Sequence, residues 1–247
     1  MRGKRALRGC NCLFFFGVAV CVAQDGTASL MGSVRDITGV GVSRAYAELW
    51  SEGSQGRAFR VQADDSGTFR FSDLPAGEYS LKFGHAGFQS LIIKGIHVSD
   101  SEEKSIPPAE LTVADNFCGG YGVLDYLRLL PSRGQIGILR GSVLVDRGHK
   151  WVESPPIAGV DVSLICARDT TCGAVQTDPR GRFMFGPMPP GYFTIRTQRV
   201  GFYPLDTPGY RIQPGFESNF RPISIERCPR GNCDPKRRPK KPPAYCE

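Results

Sequence analysis

The residues of this 247-residue chain that could do chemistry are its cysteines, its three histidines, a recurring aspartate turn and the aromatics that fall outside the core alternation. Nine cysteines are present. Cys10, Cys12 and Cys21 sit in the first 23 residues, and Cys118, Cys166, Cys172, Cys228, Cys233 and Cys246 follow. An even set after an export-type leader suggests disulfides. Cys166 and Cys172 flank Ala-Arg-Asp-Thr-Thr between two strand-like runs, which suits a cross-strand bridge. Cys228 and Cys233 flank Pro-Arg-Gly-Asn, a turn. Cys118 and Cys246 then pair by elimination. Zinc would need fourfold clusters of thiolate or imidazole, and His85, His97 and His149 lie near no cysteine pair. No metal and no cofactor is expected.

Catalytic patterns are missing. The chain has no His-Glu-x-x-His helix, no Gly-x-Ser-x-Gly elbow and no phosphate-cradling loop. Asp64, Asp65 and Asp178 could be imagined as acid–base carboxylates, but they recur at matching turns, where a short acidic acceptor caps the turn. The same turns hold too few alternating acids for calcium. An internal lysine crosslink is disfavoured because Ser29–Arg35 and Arg140–Val145 carry no lysine. The expectation is a non-enzymatic protein.

That leaves binding. In Ala45–Trp50 the alanines and Leu49 take one face, so Tyr46 and Trp50 point outward on the other. Trp151 sits in a loop with His149 and Lys150, and Tyr203 and Tyr210 lie among Pro204, Pro208 and Pro214. Flat aromatic faces stack on sugar rings, and Tyr and Trp add a polar handle. These five residues are the candidate contacts for a carbohydrate or cell-envelope polymer. The alternative is that the same rings are buried between the two halves of the chain or in a protein partner.

The elements that must hold these residues come in two similar sets. Ala63-Asp64-Asp65-Ser66-Gly67-Thr68-Phe69-Arg70-Phe71 returns as Thr177-Asp178-Pro179-Arg180-Gly181-Arg182-Phe183-Met184-Phe185. Leu74-Pro75-Ala76-Gly77-Glu78-Tyr79 returns as Met188-Pro189-Pro190-Gly191-Tyr192-Phe193, Gly87-Phe88 as Gly201-Phe202, and Gly32-Ser33-Val34 as Gly141-Ser142-Val143. Phe69/Phe71, Tyr79/Leu81/Phe83, Val160/Val162/Leu164 and Phe193/Ile195 alternate at period two, the mark of half-buried strands. Short strands between turn signals predict sandwiches. Between the sets, Val123–Leu130 has helical spacing and stops at Pro131, which predicts one short helix in the linker.

Charge follows the same map. Arg2, Lys4, Arg5 and Arg8 precede the apolar run Leu13–Val22, and Cys21-Val22-Ala23 offers a cleavage site, so residues 1–23 read as a signal peptide. A lipid anchor on Cys21 is disfavoured by Val20 before it. The overall charge is +7, but residues 24–226 hold 20 basic and 22 acidic residues, and residues 227–247 hold seven and two. Positive charge confined to a leader and a Pro-rich tail removes the usual footing for a nucleic-acid partner. No transmembrane span is expected in the mature chain, which is read as exported: secreted, periplasmic or at the cell surface.

The pattern Gly-Ser-Val, a small or apolar strand, Asp-x-x-Gly-x-Phe-x-Phe, Leu-Pro-x-Gly-x-Tyr and Gly-Phe resembles the carboxypeptidase regulatory-like domain. The resemblance covers about 29–113 and 140–227. It implies an all-β protein of two tandem transthyretin-like Greek-key β-sandwiches, grouped with carbohydrate-binding-like folds and found in exported bacterial proteins. It brings no catalytic site, because the family's catalytic activity lies in a different domain, and the link to sugars is analogy. The expected division is 1–23 leader, 24–113 first sandwich, 114–138 linker with a short helix, 139–227 second sandwich and 228–247 basic tail.

Overall fold

The computed structural model describes residues 12–15, 18–21, 28–52, 58–114, 124–131, 134–146, 154–207, 209–229 and 233. Strands β1 (Cys12–Phe15) and β2 (Val18–Cys21) pair antiparallel with each other. The rest of the expected leader, Cys118, Trp151 and Cys246 lie outside the described residues.

The first half runs β3 (Ala28–Asp36), β4 (Tyr46–Ser51), β5 (Ala58–Gln62), β6 (Thr68–Leu74), β7 (Gly77–Gly84), β8 (Leu91–Val98), β9 (Glu103–Ser105) and β10 (Ala109–Leu111). β3 pairs antiparallel with β6 and parallel with β9 and β10, while β4, β5, β7 and β8 form the opposing sheet. After β11 (Leu124–Leu129), the second half runs β12 (Gly137–Asp146), β13 (Asp161–Ile165), β14 (Thr171–Gln176), β15 (Arg182–Met188), β16 (Gly191–Gln198), β17 (Leu205–Asp206), β18 (Tyr210–Ile212), β19 (Phe216–Phe220) and β20 (Ile223–Glu226). Here β12 pairs antiparallel with β15 and parallel with β19 and β20, opposite β13, β14, β16, β17 and β18. The protein is an all-β sandwich fold.

Alternation builds the cores. Phe69, Phe71, Tyr79, Leu81 and Phe83 are buried in the first, and Val160, Val162, Leu164, Phe183, Phe185 and Ile195 in the second. Each such side chain contributes about 1.5–3 kcal/mol on burial. Phe69 meets Phe83 edge to face at 5.1 Å, and Phe183 meets Phe185 at 6.0 Å. The repeated Gly-Ser-Val explains how the rings fit. Gly32 lies opposite Phe69 and Gly141 opposite Phe183, and a Cβ on either glycine would run into the ring.

The repeated aspartate closes a turn in each half. Asp64 Oδ1 accepts from the Ser66 and Thr68 amides at 2.9 Å, and Asp178 Oδ1 from those of Arg180 and Arg182 at 2.8 and 2.9 Å. Gly67 and Gly181 follow with φ of +78° and +71°, the left-handed region that glycine enters without penalty.

The expected linker helix is not there. Residues Leu124–Leu129 form strand β11, parallel to β8 and antiparallel to β19. β11 thereby joins a sheet of the first half to a sheet of the second. One nine-stranded sheet results, ordered β15-β12-β19-β11-β8-β7-β4-β5, with β20 also on β12. Both cores lie on the same side of it: on β19, Phe216 enters the first core, Phe220 the second, and Ser218 between them is buried. Beside this joint, Glu110 and Gln213 exchange two hydrogen bonds, at 3.0 and 3.1 Å, and Arg211 Nε meets Glu110 Oε2 at 3.1 Å.

Among the described residues two disulfides are formed, Cys166–Cys172 across the β13–β14 turn and Cys228–Cys233 just after β20.

Candidate functional site

The side of the nine-stranded sheet away from the cores is the face that strand alternation leaves open. Register brings Tyr46, Glu48 and Trp50 of β4 beside Gln62, Arg60 and Ala58 of β5 and beside Gly84, Lys82 and Ser80 of β7. Further along, Lys94 of β8 neighbours Arg128 of β11, Arg128 neighbours Glu217 of β19, and Asn219 neighbours both Tyr126 and Arg140. Arg140 and Ser142 of β12 then face Met184 and Arg182 of β15.

An open cleft of about 680 Å³ occupies the second-half end of this face. It is lined by Asp125, Tyr126, Arg140, Ser142, Asn219, Arg182, Met184 and, from β14, Gln176. The volume falls in the range of small-molecule sites, roughly 300–1,000 Å³. The lining is polar and apolar in about equal parts, and its charges are balanced. Arg140 Nε is 2.7 Å from Glu217 Oε2, and Arg182 is 2.8 Å from Asp178. The Arg182 backbone amide, then its side chain, hold the Asp178 carboxyl below its ordinary value of 3.8. Asn219 Nδ2 donates to the Glu217 backbone carbonyl at 3.3 Å. Met184, 44% exposed, and the Tyr126 ring supply apolar surface together with Val175, Phe183 and Phe220. Guanidinium, carboxylate, amide and hydroxyl groups on one open wall can exchange hydrogen bonds with a polyhydroxylated ligand. Among the described residues, no group of three or more His, Cys, Asp or Glu converges in a way that could hold a metal ion.

Among the described residues, the aromatics singled out in the sequence do not all share one surface. Tyr46 and Trp50 do share the outer face, both half-buried. Tyr46 leans over Gly84, which has no side chain to obstruct it, and the Arg60 guanidinium sits 4.6 Å from its ring centre. Tyr203 is 2% exposed, so it offers no ring to a surface ligand. Tyr210 stands edge-on to Phe220 at 4.7 Å with its hydroxyl buried, and burial pushes that hydroxyl's pKa well up. Tyr203 is buried where the chain after Gly201-Phe202 lies against β20, and Tyr210 is half-buried against the second core. The Tyr203 amide donates to the Glu226 carbonyl at 2.9 Å. Trp151 lies outside the described residues.

Tyr126, Asn219 and Arg140 were missed by the sequence reading. Tyr126 was hidden in the supposed helix. Asn219 and Arg140 are marked only by their place between inward residues, Ser218/Phe220 and Leu139/Gly141.

Residues 29–114 match the carboxypeptidase regulatory-like domain, about a third of the chain. No curated protein matches. Among solved structures, the chain is similar to the Bacillus anthracis TIE protein at 16% identity, covering 81% of this chain and 34% of that one, with a TM-score of 0.30. It thus spans about a third of that protein's length. It is also similar to the minor pilin of Streptococcus agalactiae (12% identity, 87% and 99% covered, TM-score 0.33). A third likeness is to the major pilin subunit of Bacillus cereus (10% identity, 82% and 100% covered, TM-score 0.30).

Proposed function

We propose that this is an exported, non-enzymatic binding protein built from two regulatory-like sandwiches, about 24–113 and 139–227, that holds carbohydrate in the cleft between β11 and β15. The observation that carries the reading is the cleft itself. It is an open wall of balanced hydrogen-bonding groups flanked by the Tyr126 ring and Met184, with the size of a ligand site. Balanced charge suits neutral hydroxyls, which need donors and acceptors in similar number. The two disulfides support an oxidising location outside the cytoplasm.

A second reading rests on β11. A strand shared between two sandwiches makes one stiff body, as a structural or protein-interaction module of the cell envelope would need.

The test is calorimetric titration of the oxidised protein with a panel of neutral oligosaccharides, alongside Tyr126→Ala, Asn219→Ala, Trp50→Ala and Trp151→Ala. Saturable binding weakened about tenfold or more, roughly 1.4 kcal/mol, in Tyr126→Ala and Asn219→Ala places the sugar in the cleft. A panel with no binder, from protein shown to be folded, moves the weight to the structural reading.

A further inference from the structure

Resting on the carbohydrate reading of the cleft, we propose that the first-half part of the same outer face is a cationic strip that binds the acid groups of a carboxylated linear polysaccharide, with its chain running on into the cleft.

Four cations point out of this strip: Arg60 on β5, Lys82 on β7, Lys94 on β8 and Arg128 on β11. Lys94 and Arg128 are direct neighbours across the β8–β11 ladder, while Arg60 and Lys82 flank Glu48. Among the described residues, none of the four has a carboxylate within ion-pair distance, although eight ion pairs form elsewhere. The other carboxylates on or beside these strands are Glu217 of β19, the ladder neighbour of Arg128 but 2.7 Å from Arg140, Glu78, opposite His97 at the far end of β7, and Asp125, which lies 3.8 Å from Arg221. Residues 24–226 as a whole carry slightly more acid than base, so this concentration is not the average of the surface.

Two of the cations are held in place by rings. Lys94 Nζ lies 4.2 Å from the Tyr126 ring centre, and the Arg60 guanidinium 4.6 Å from that of Tyr46. A ring steadies a long side chain without neutralising it. Each charge therefore stays available, and less side-chain freedom is lost when a ligand arrives.

Shape and continuity select the occupant. Adjacent strands rotate by about 20–25°, so the strip from β5 to β11 winds instead of lying flat. A linear chain can follow it, whereas a bilayer presents a plane. Among the described residues, the large exposed apolar side chains, such as Val40, Val113, Met184, Tyr192 and Val200, all lie off these strands, which leaves nothing there to enter a lipid surface. Tyr126 belongs to both surfaces, touching Lys94 on one side and lining the cleft on the other, so one glycan chain can engage charge and hydroxyl contacts in succession.

The experiment compares polygalacturonate with its fully methyl-esterified form, the same backbone without charge, on the oxidised full chain. The expected result is affinity for the acid form at least about tenfold above the ester at low salt, with that advantage lost as salt shortens the screening length. The Lys94→Gln/Arg128→Gln double variant, which leaves the cores untouched, should lose the advantage, keep its melting temperature and keep binding to neutral oligosaccharide. Equal affinity for acid and ester overturns the strip while leaving the cleft reading standing on its own panel. An unchanged double variant overturns it too, as does tighter binding to duplex DNA or to phosphatidylglycerol vesicles than to polygalacturonate.

Discussion

Asp64 and Asp178 show how much a single side chain settles. Each accepts the amides of its own turn, and each carboxyl is held below its usual 3.8, Asp64 chiefly by the Ser66 hydroxyl and Asp178 chiefly by the Arg182 amide. A lowered folded-state value means stability that is fully present above 3.8 and lost as pH falls through the lower value. We expect melting temperature to drop steeply below pH 3.8 in the wild type, and the Asp64→Asn/Asp178→Asn double variant to be less stable at neutral pH with a shallower acid slope. Parallel curves would show that the turns are held by something else. Burial raises Glu110 above its ordinary 4.5, so it acts the other way, lowering stability as pH rises past 4.5. It is common to both proteins and cancels in the comparison. These turns were legible in the sequence because their chemistry is local: an acceptor, two amides and a glycine within five residues. The surroundings of Tyr203 and Tyr210 were not, because what buries them is β19 and β20, and no spacing along the chain announces that contact.

At the scale of the element, β11 is where local pattern misled. Leu124, Leu127 and Leu130 fit a helical stripe, while Tyr126/Arg128 against Leu127/Leu129 fit alternation equally well. A run of eight residues is short for a helix and ordinary for a strand. What decides is the supply of open edges, β8 on one side and β19 on the other, which satisfy both rows of backbone groups at once. Proline at Leu127 would remove a ladder donor in the middle of that strand. Leu127→Pro should convert a single calorimetric transition into two, one for each core. Two transitions in the wild type itself, or one in the variant, would mean that β11 does not couple the halves.

For the whole molecule, the paired sequence sets carried the sandwich class and the core alternation, and cysteine spacing carried the two short disulfides, but the single sheet that runs through both halves comes from β11 alone. The Cys166–Cys172 bridge closes a loop with a sequence separation of 6. Chain-entropy reasoning assigns a loop of this size about 2 kcal/mol. For a protein of this size that corresponds to a fall of about 4–8 °C in Tm. Cys166→Ala/Cys172→Ala should show that fall with the far-ultraviolet spectrum unchanged, and an unaltered Tm would sink the estimate.

The joint at β11 unites unlike edges, β8 of one half and β19 of the other. Contacts between unlike surfaces repeat head to tail, so the same geometry between molecules would build a ring where the rotation closes and an open fibre where it does not. In the first half the strand that corresponds to β19 is β9, parallel to β3 as β19 is to β12, and among the described residues its outer edge pairs with nothing. β9 is three residues long, carries Lys104 and sets the exposed Glu103 against Arg70 at 2.7 Å. Short length and charge are what keep an open edge from recruiting a foreign strand. The chain thus joins its own halves with a geometry that could also join one molecule to the next, and the short, charged edge of β9 works against that extension.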